Sequence, residues 1–189
     1  MKLLYLIASL ALPSFLFAEG LYQKGDHCVS WKTQKTMFLF RALEPAGKNC
    51  SITTTVTTKK DTIVLTGIFP IKNFDSGEED RDVAVFDLLG GKNQEDLIFI
   101  SAPIKRDHFL KQETSKISGT LQINNKQFDV IFDVTLSKKE TNYIFNGTLQ
   151  TTFTNLGLEP PSVAGGLIAN VKDTLELSFQ FQSSKISGF

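Results

Sequence analysis

Two histidines, two cysteines and a run of acids are the residues of this chain whose types could do chemistry. His27 stands between Asp26 and Cys28, and His108 follows Asp107. An imidazole next to a thiol could in principle activate a cysteine nucleophile. Adjacent residues on a strand point to opposite faces, however, and no nearby group would orient the ring. A zinc site would need both histidines together with Cys28 and Cys50, whose spacing follows no ligand pattern. Glu78, Glu79, Asp80 and Asp82 lack the oxygen spacing of a calcium loop and read as a solvated turn that caps a helix, with Asp80 or a neighbouring acid as the cap. There is no nucleophile elbow, phosphate-cradling loop or dinucleotide fingerprint, and Gly90-Gly91-Lys92 is too short to be one. The chain therefore reads as a non-enzyme, with no catalytic residue, no metal site and no cofactor.

The cysteines have another use if the protein leaves the cytosol. The opening MKLLYLIASLALPSFLFA carries one basic residue, an apolar run, Pro13 and the small Ala18, the layout of a secretory signal peptide over residues 1–18. Cleavage after Ala18 would leave 19–189 as a single domain, periplasmic or secreted, with no later segment of the roughly 18 to 20 apolar residues a spanning helix needs. In an oxidising compartment a Cys28–Cys50 bridge would stabilise the fold by roughly 3 kcal/mol in the chain-entropy model. Two buried thiols on neighbouring strands are the alternative. Asn49-Cys50-Ser51 and Asn146-Gly147-Thr148 match the glycosylation triplet, a pattern too short to carry weight.

Lysine and arginine total 20 against 20 acids, which leaves no footprint for nucleic acid and no polybasic patch for a membrane. Phenylalanine is the excess: 16 rings against one Trp and three Tyr, aromatic area without polar handles. Most of it falls in alternating runs. From Ile117 to Leu136, two such runs meet at Asn124-Asn125, residues that tolerate positive φ in a tight hairpin. In the second arm Phe128, Val130, Phe132, Val134 and Leu136 share one face, and period two means a half-buried strand.

The same rhythm predicts strands around Val29–Trp31 and Met37–Arg41. Two more flank Lys59-Lys60-Asp61, and others cover DLIFISAPI, TNYIFNGTLQTTF and VKDTLELSFQF. Gly147 marks a bend or bulge in this reading. Arg106 to Lys111 is a connection or short strand. The one substantial helix follows the acidic turn, with Val83, Phe86 and Leu88 or Leu89 on one face and Gly90-Gly91 at its end. About eight to ten antiparallel strands and one helix form either a closed barrel or a two-sheet sandwich, which periodicity alone does not separate.

Three blocks occur in the order in which they occur in the YceI-like family of exported, lipocalin-like proteins, and the chain resembles that family from about residue 28 onward. Arg81-Asp82, in the stretch Gly77 to Asp82, is similar to the family's Arg-Asp pair at the helix entrance. GTLQINNKQFDVIF, Gly119 to Phe132, looks like its Gly-Thr-Leu-x-Ile-Asn-Gly hairpin, with Asn125 in place of the glycine. Thr154 to Leu177 resembles its last loop and strand, with Asn155-Leu156 in place of an Asp-aromatic pair. The resemblance implies an all-β, antiparallel, eight-stranded barrel with one short helix. Its lumen would bind a long apolar chain, namely a polyisoprenoid such as a quinone tail or prenyl phosphate, or a fatty amide, for transport, storage or sequestration.

On that reading Leu121, Phe128, Val130 and Phe132 line the lumen, together with Phe145, Leu149, Phe153, Leu177 and Phe179, while Val85 and Phe86 lie on the helix near a mouth. Each of these side chains would otherwise be ordinary core. The partner expected is a long-chain apolar small molecule such as an isoprenoid lipid, and a homodimer is compatible with the sequence. A ligand-free exported scaffold is the alternative function. It would bind another protein through a sheet edge or the 154–166 loop, and its lumen would be filled by its own rings. An enzyme acting on a held lipid would have only Asp26, His27, Arg81 and Asp82 to work with.

Overall fold

The computed structural model describes residues 21–37, 41–111, 113–163 and 169–189. The signal-peptide reading lies outside these residues, as does part of the 154–166 loop.

Where the sequence alternates, the backbone is extended. Strands β1 (Cys28–Met37), β2 (Arg41–Leu43), β3 (Ala46–Asn49), β4 (Thr53–Lys59) and β5 (Thr62–Pro70) are followed by helix α1 (Glu79–Leu88). Next come β6 (Asp96–Ser101), β7 (Ile104–Lys105), helix α2 (Arg106–Phe109), β8 (Thr114–Ile123) and β9 (Lys126–Lys139). Strands β10 (Asn142–Thr151), β11 (Ser162–Val163) and β12 (Ala169–Gln182) complete the order. In β9 Val130, Phe132 and Val134 are buried while Asp129, Ile131 and Asp133 are exposed, and β5 buries Ile63, Leu65, Gly67 and Phe69 in the same rhythm. One face of each strand is thus driven inward. Among the described residues no helix is long and apolar enough to cross a membrane.

The longer strands neighbour one another antiparallel in the order β1-β12-β10-β9-β8-β6-β5-β4, with β2, β3, β7 and β11 paired at the margins. This eight-strand course rolls into a lipocalin-like barrel, and a mixed set of ties holds its seam. Val56 N–H donates to Ser187 O at 2.7 Å and Ser187 N–H to Thr54 O at 3.0 Å, so the chain's C-terminal segment pairs in parallel with β4. Lys48 of β3 and Asp75 exchange two backbone bonds of 2.9 Å. The Cys28–Cys50 disulfide ties β1 to the turn after β3, which settles the pairing that sequence left open.

Several local expectations change. The strand expected around Val29–Trp31 runs on to Met37, its ladder to β12 shifting between Thr33 and Lys35, while most of the strand expected around Met37–Arg41 lies outside the described residues. Residues Arg106–Phe109 form a short helix, not a strand. Gly147 is neither bend nor bulge, since its register with β9 and β12 runs through unbroken. What it supplies is space: a Cβ there would sit 2.1 Å from the Phe179 ring. The hairpin at Asn124-Asn125 forms as expected, with φ of 51° and 58°.

Helix α1 also differs in detail. Its N-cap is Glu78 and no side chain caps it, while Asp82 accepts bonds from Ser76 N–H at 2.9 Å and Ser76 Oγ–H at 2.6 Å. Gly90, at φ 74°, donates to Asp87 O, and Gly91 donates to Phe86 O, a Schellman ending. Val83, expected to share a face with Phe86, is 57% exposed, and no residue of the helix is fully buried.

Candidate functional site

The inward faces of the strands do not meet across the whole barrel. At the end spanned by α1 they enclose a cavity of about 470 Å³. Phe69, Leu97, Phe99, Leu121 and Phe132 form one wall; Val29, Trp31, Leu175, Leu177 and Phe179 form the other. Ala84, Val85 and Leu88 of α1, with Leu89 just after it, close over it, and Phe153, Leu156, Leu158 and Pro161 border it from the loop after β10. Such a wall removes hydrocarbon from water and offers almost nothing to charge.

Ser30, Thr33, Lys35, Glu78, Asp80, Arg81 and Ser178 are the polar residues of the lining. Lys35 borders the cavity from β1, and Glu78, Asp80 and Arg81 from the start of the helix, with Arg81 Nη2 and Glu78 Oε1 2.5 Å apart. Ser30 and Ser178 are cross-strand partners beside the cavity, and their hydroxyls are 2.7 Å apart. They bond to the Tyr22 hydroxyl at 2.6 and 3.0 Å, whose pKa burial pushes up to about 12. Thr33 Oγ–H donates to Thr174 O at 2.6 Å. Among the described residues, Trp31 Nε1 is the buried side-chain polar atom without a partner.

Of the side chains read as lumen residues, Leu121, Phe132, Phe153, Leu177, Phe179 and Val85 border this cavity, and Phe128, Val130, Phe145, Leu149 and Phe86 do not. Phe128 lies against Gly157, and Phe86 folds back over Gly91 beneath the helix terminus. Val130 faces Gly119 across the ladder, and the Phe99 ring covers that glycine. Leu149 packs against the core beside Leu177. Phe145 belongs to the opposite end of the barrel. Sequence reasoning passes over Phe69, Leu97, Phe99 and Trp31, although alternation in β5, β6 and β1 carries the same signal for them.

The opposite end is filled. Phe145 lies 5.7 Å from Phe109 of α2 and 5.5 Å from the C-terminal Phe189, centroid to centroid, and only about 20 Å³ is left among these rings. The Arg106 guanidinium lies 5.8 Å from the Phe189 ring centre and covers it from outside.

Asp26, His27, Arg81 and Asp82, the four candidates for catalysis, each have structural partners. Gln182 N–H donates to His27 Nδ1 at 3.1 Å, so Nε2 carries the proton it gives to Thr54 Oγ1 at 2.9 Å. Burial, with Lys185 adding to it, lowers the His27 pKa to about 4 and keeps the ring neutral. Asp26 accepts from Gln23 N–H at 2.8 Å and Lys48 Nζ at 3.3 Å. Asp26, Cys28 and Cys50 have ligand atoms within 4.8 Å of one another, but the disulfide takes both sulfurs out of metal chemistry. Arg81 and Asp82 are held in α1 by separate partners, Glu78 and Ser76.

An antiparallel barrel with a helix across one end and a greasy hollow beneath it is a lipocalin-like fold. Neither a family model nor a curated protein matches the chain by sequence, but solved structures do match its fold. BcnA of Burkholderia cenocepacia is 17% identical, covering 82% of this chain and 96% of its own, with a TM-score of 0.63. A polyisoprenoid binding domain from Saccharophagus degradans, implicated in plant cell wall breakdown, is 11% identical over 82% of this chain and 92% of its own, with a TM-score of 0.59. The YceI protein of Campylobacter jejuni is 15% identical over 72% and 82%, with a TM-score of 0.55. The chain has the YceI-like fold.

Proposed function

We propose that this chain is a divergent YceI-like protein, exported to a periplasm or beyond, that holds a long apolar ligand inside its barrel for transport, storage or sequestration. The observation that carries the reading is the cavity of about 470 Å³ that the chain's own rings leave unfilled. The ligand class is a polyisoprenoid, an isoprenoid quinone or a fatty amide, as the Saccharophagus protein of the same fold is described as binding a polyisoprenoid. The disulfide fits an oxidising compartment, and the first 18 residues read as an export signal.

Binding needs no covalent step. Burying about 400 Å² of hydrocarbon supplies on the order of 10 kcal/mol before ordering costs, enough for micromolar affinity or better. The tail enters beneath α1, and the head stays at the border beside Lys35 and Arg81, where charge remains hydrated. A ligand-free scaffold would have a lumen packed with its own side chains, a condition met only at the Phe145 end. Native mass spectrometry of the purified protein, before and after solvent extraction, tests the reading. A lipid mass lost on extraction supports it; a protein that carries no lipid and takes none up from a lipid extract overturns it.

A further inference from the structure

The cavity stops at a partition. The Phe179 and Phe181 rings stack with centroids 4.4 Å apart and border both the large cavity and the small remnant behind it. Phe179 lies over Gly147, where any side chain would collide with it, and Phe132 braces it at 5.4 Å. Phe181 is backed by the His27 ring at 5.1 Å. Behind the partition come the Phe145, Phe109 and Phe189 rings, so a chain threading inward meets aromatic layers in series.

We propose that this partition is a stop that sets the length of chain the lumen accepts, a proposal that rests on reading the lumen as the ligand site. At roughly 30 Å³ per methylene-sized group, about the share of a water molecule in the liquid, the cavity of about 470 Å³ holds on the order of fifteen carbons. The matching ligand is an acyl or isoprenoid chain of about fifteen to twenty carbons, the last few lying in the mouth under α1. Additional isoprene units would trail in water, where they gain no burial. The rings that build the stop come from β12, β10, α2 and the C-terminus, four places in the sequence that meet only in the fold.

The test uses the delipidated full chain, titrated with geraniol, farnesol, geranylgeraniol and solanesol delivered from cyclodextrin, with emission of the lone Trp31 as the signal. Affinity should rise about tenfold or more from geraniol to farnesol and then level, with solanesol within about threefold of geranylgeraniol. Phe181→Ala removes half of the partition and should move the plateau outward, favouring geranylgeraniol over farnesol by about tenfold. Phe181→Leu, which keeps more of the core, should move it the same way by less. Phe86→Leu, off the cavity wall, should leave it in place. Solanesol binding tenfold or more tighter than geranylgeraniol to the unaltered chain would overturn the stop, as would an unmoved plateau in a folded Phe181 variant. If neither a prenol nor a fatty amide binds at any length, the lumen reading falls and the stop with it.

Discussion

The two ends of the barrel are made from the same alternating strands and come out opposite. At one, Phe145, Phe109 and Phe189 interlock and leave about 20 Å³; at the other, residues of equal hydrophobicity stand around about 470 Å³. The strands do not decide this, because β5, β8 and β12 supply inward side chains at both ends. The elements that cross the ends decide it. Helix α2 and the C-terminus deliver rings into the lumen, whereas α1 lays Ala84, Val85 and Leu88 over its border and buries none of its residues fully. Close packing is concentrated at the filled end and open volume at the covered one.

Phe145→Ala would break this contrast most severely. Removing a buried ring from the filled end should cost about 3–5 kcal/mol, read as a fall in the denaturant midpoint. The ties beside that end come next. Replacing Cys28 and Cys50 by Ser should cost roughly 3 kcal/mol, with the lumen and its ligand preference retained in whatever fraction folds.

Acid should act on the same region. His27 binds a proton with a pKa of about 4 in the fold against an ordinary value of 6.5, so between these values the unfolded chain takes up a proton that the folded one refuses. Its contribution is present in full above about pH 6.5 and is lost as pH falls toward 4, by about 2–3 kcal/mol at the acid limit. Stability measured against pH should show this slope, and His27→Gln should flatten it. Val85→Ala, at the covered end, should cost under about 1 kcal/mol, because that side chain faces open space on one side. A cost equal to that of Phe145→Ala would mean the two ends are alike.

Period two makes the strands, the β8–β9 hairpin and the inward faces legible from sequence, Phe132 and Phe179 among them. It tells which face a side chain takes and says nothing of its height along the barrel. For that reason Phe145, on the same face as Leu149 and opposite Phe181 in the ladder, reads with the cavity residues yet belongs to the plug. Height is fixed by contacts with α2 and the chain terminus, far away in sequence. Phe86 departs in a different way: its position on a helix turn places it near a mouth, but the Schellman ending folds it over Gly91. Gly147 reads as a bend because its missing side chain can mean either freedom or clearance, and only the Phe179 ring beside it decides between them.

The most direct test of the central claim uses Trp31, the one tryptophan of the chain and part of the cavity wall. A fatty acid brominated at mid-chain, added to delipidated protein, should quench its emission saturably at one equivalent per chain, because bromine quenches on contact. Binding without quenching would place the ligand elsewhere, and with no saturable binding at all the cavity would be a hollow that holds nothing.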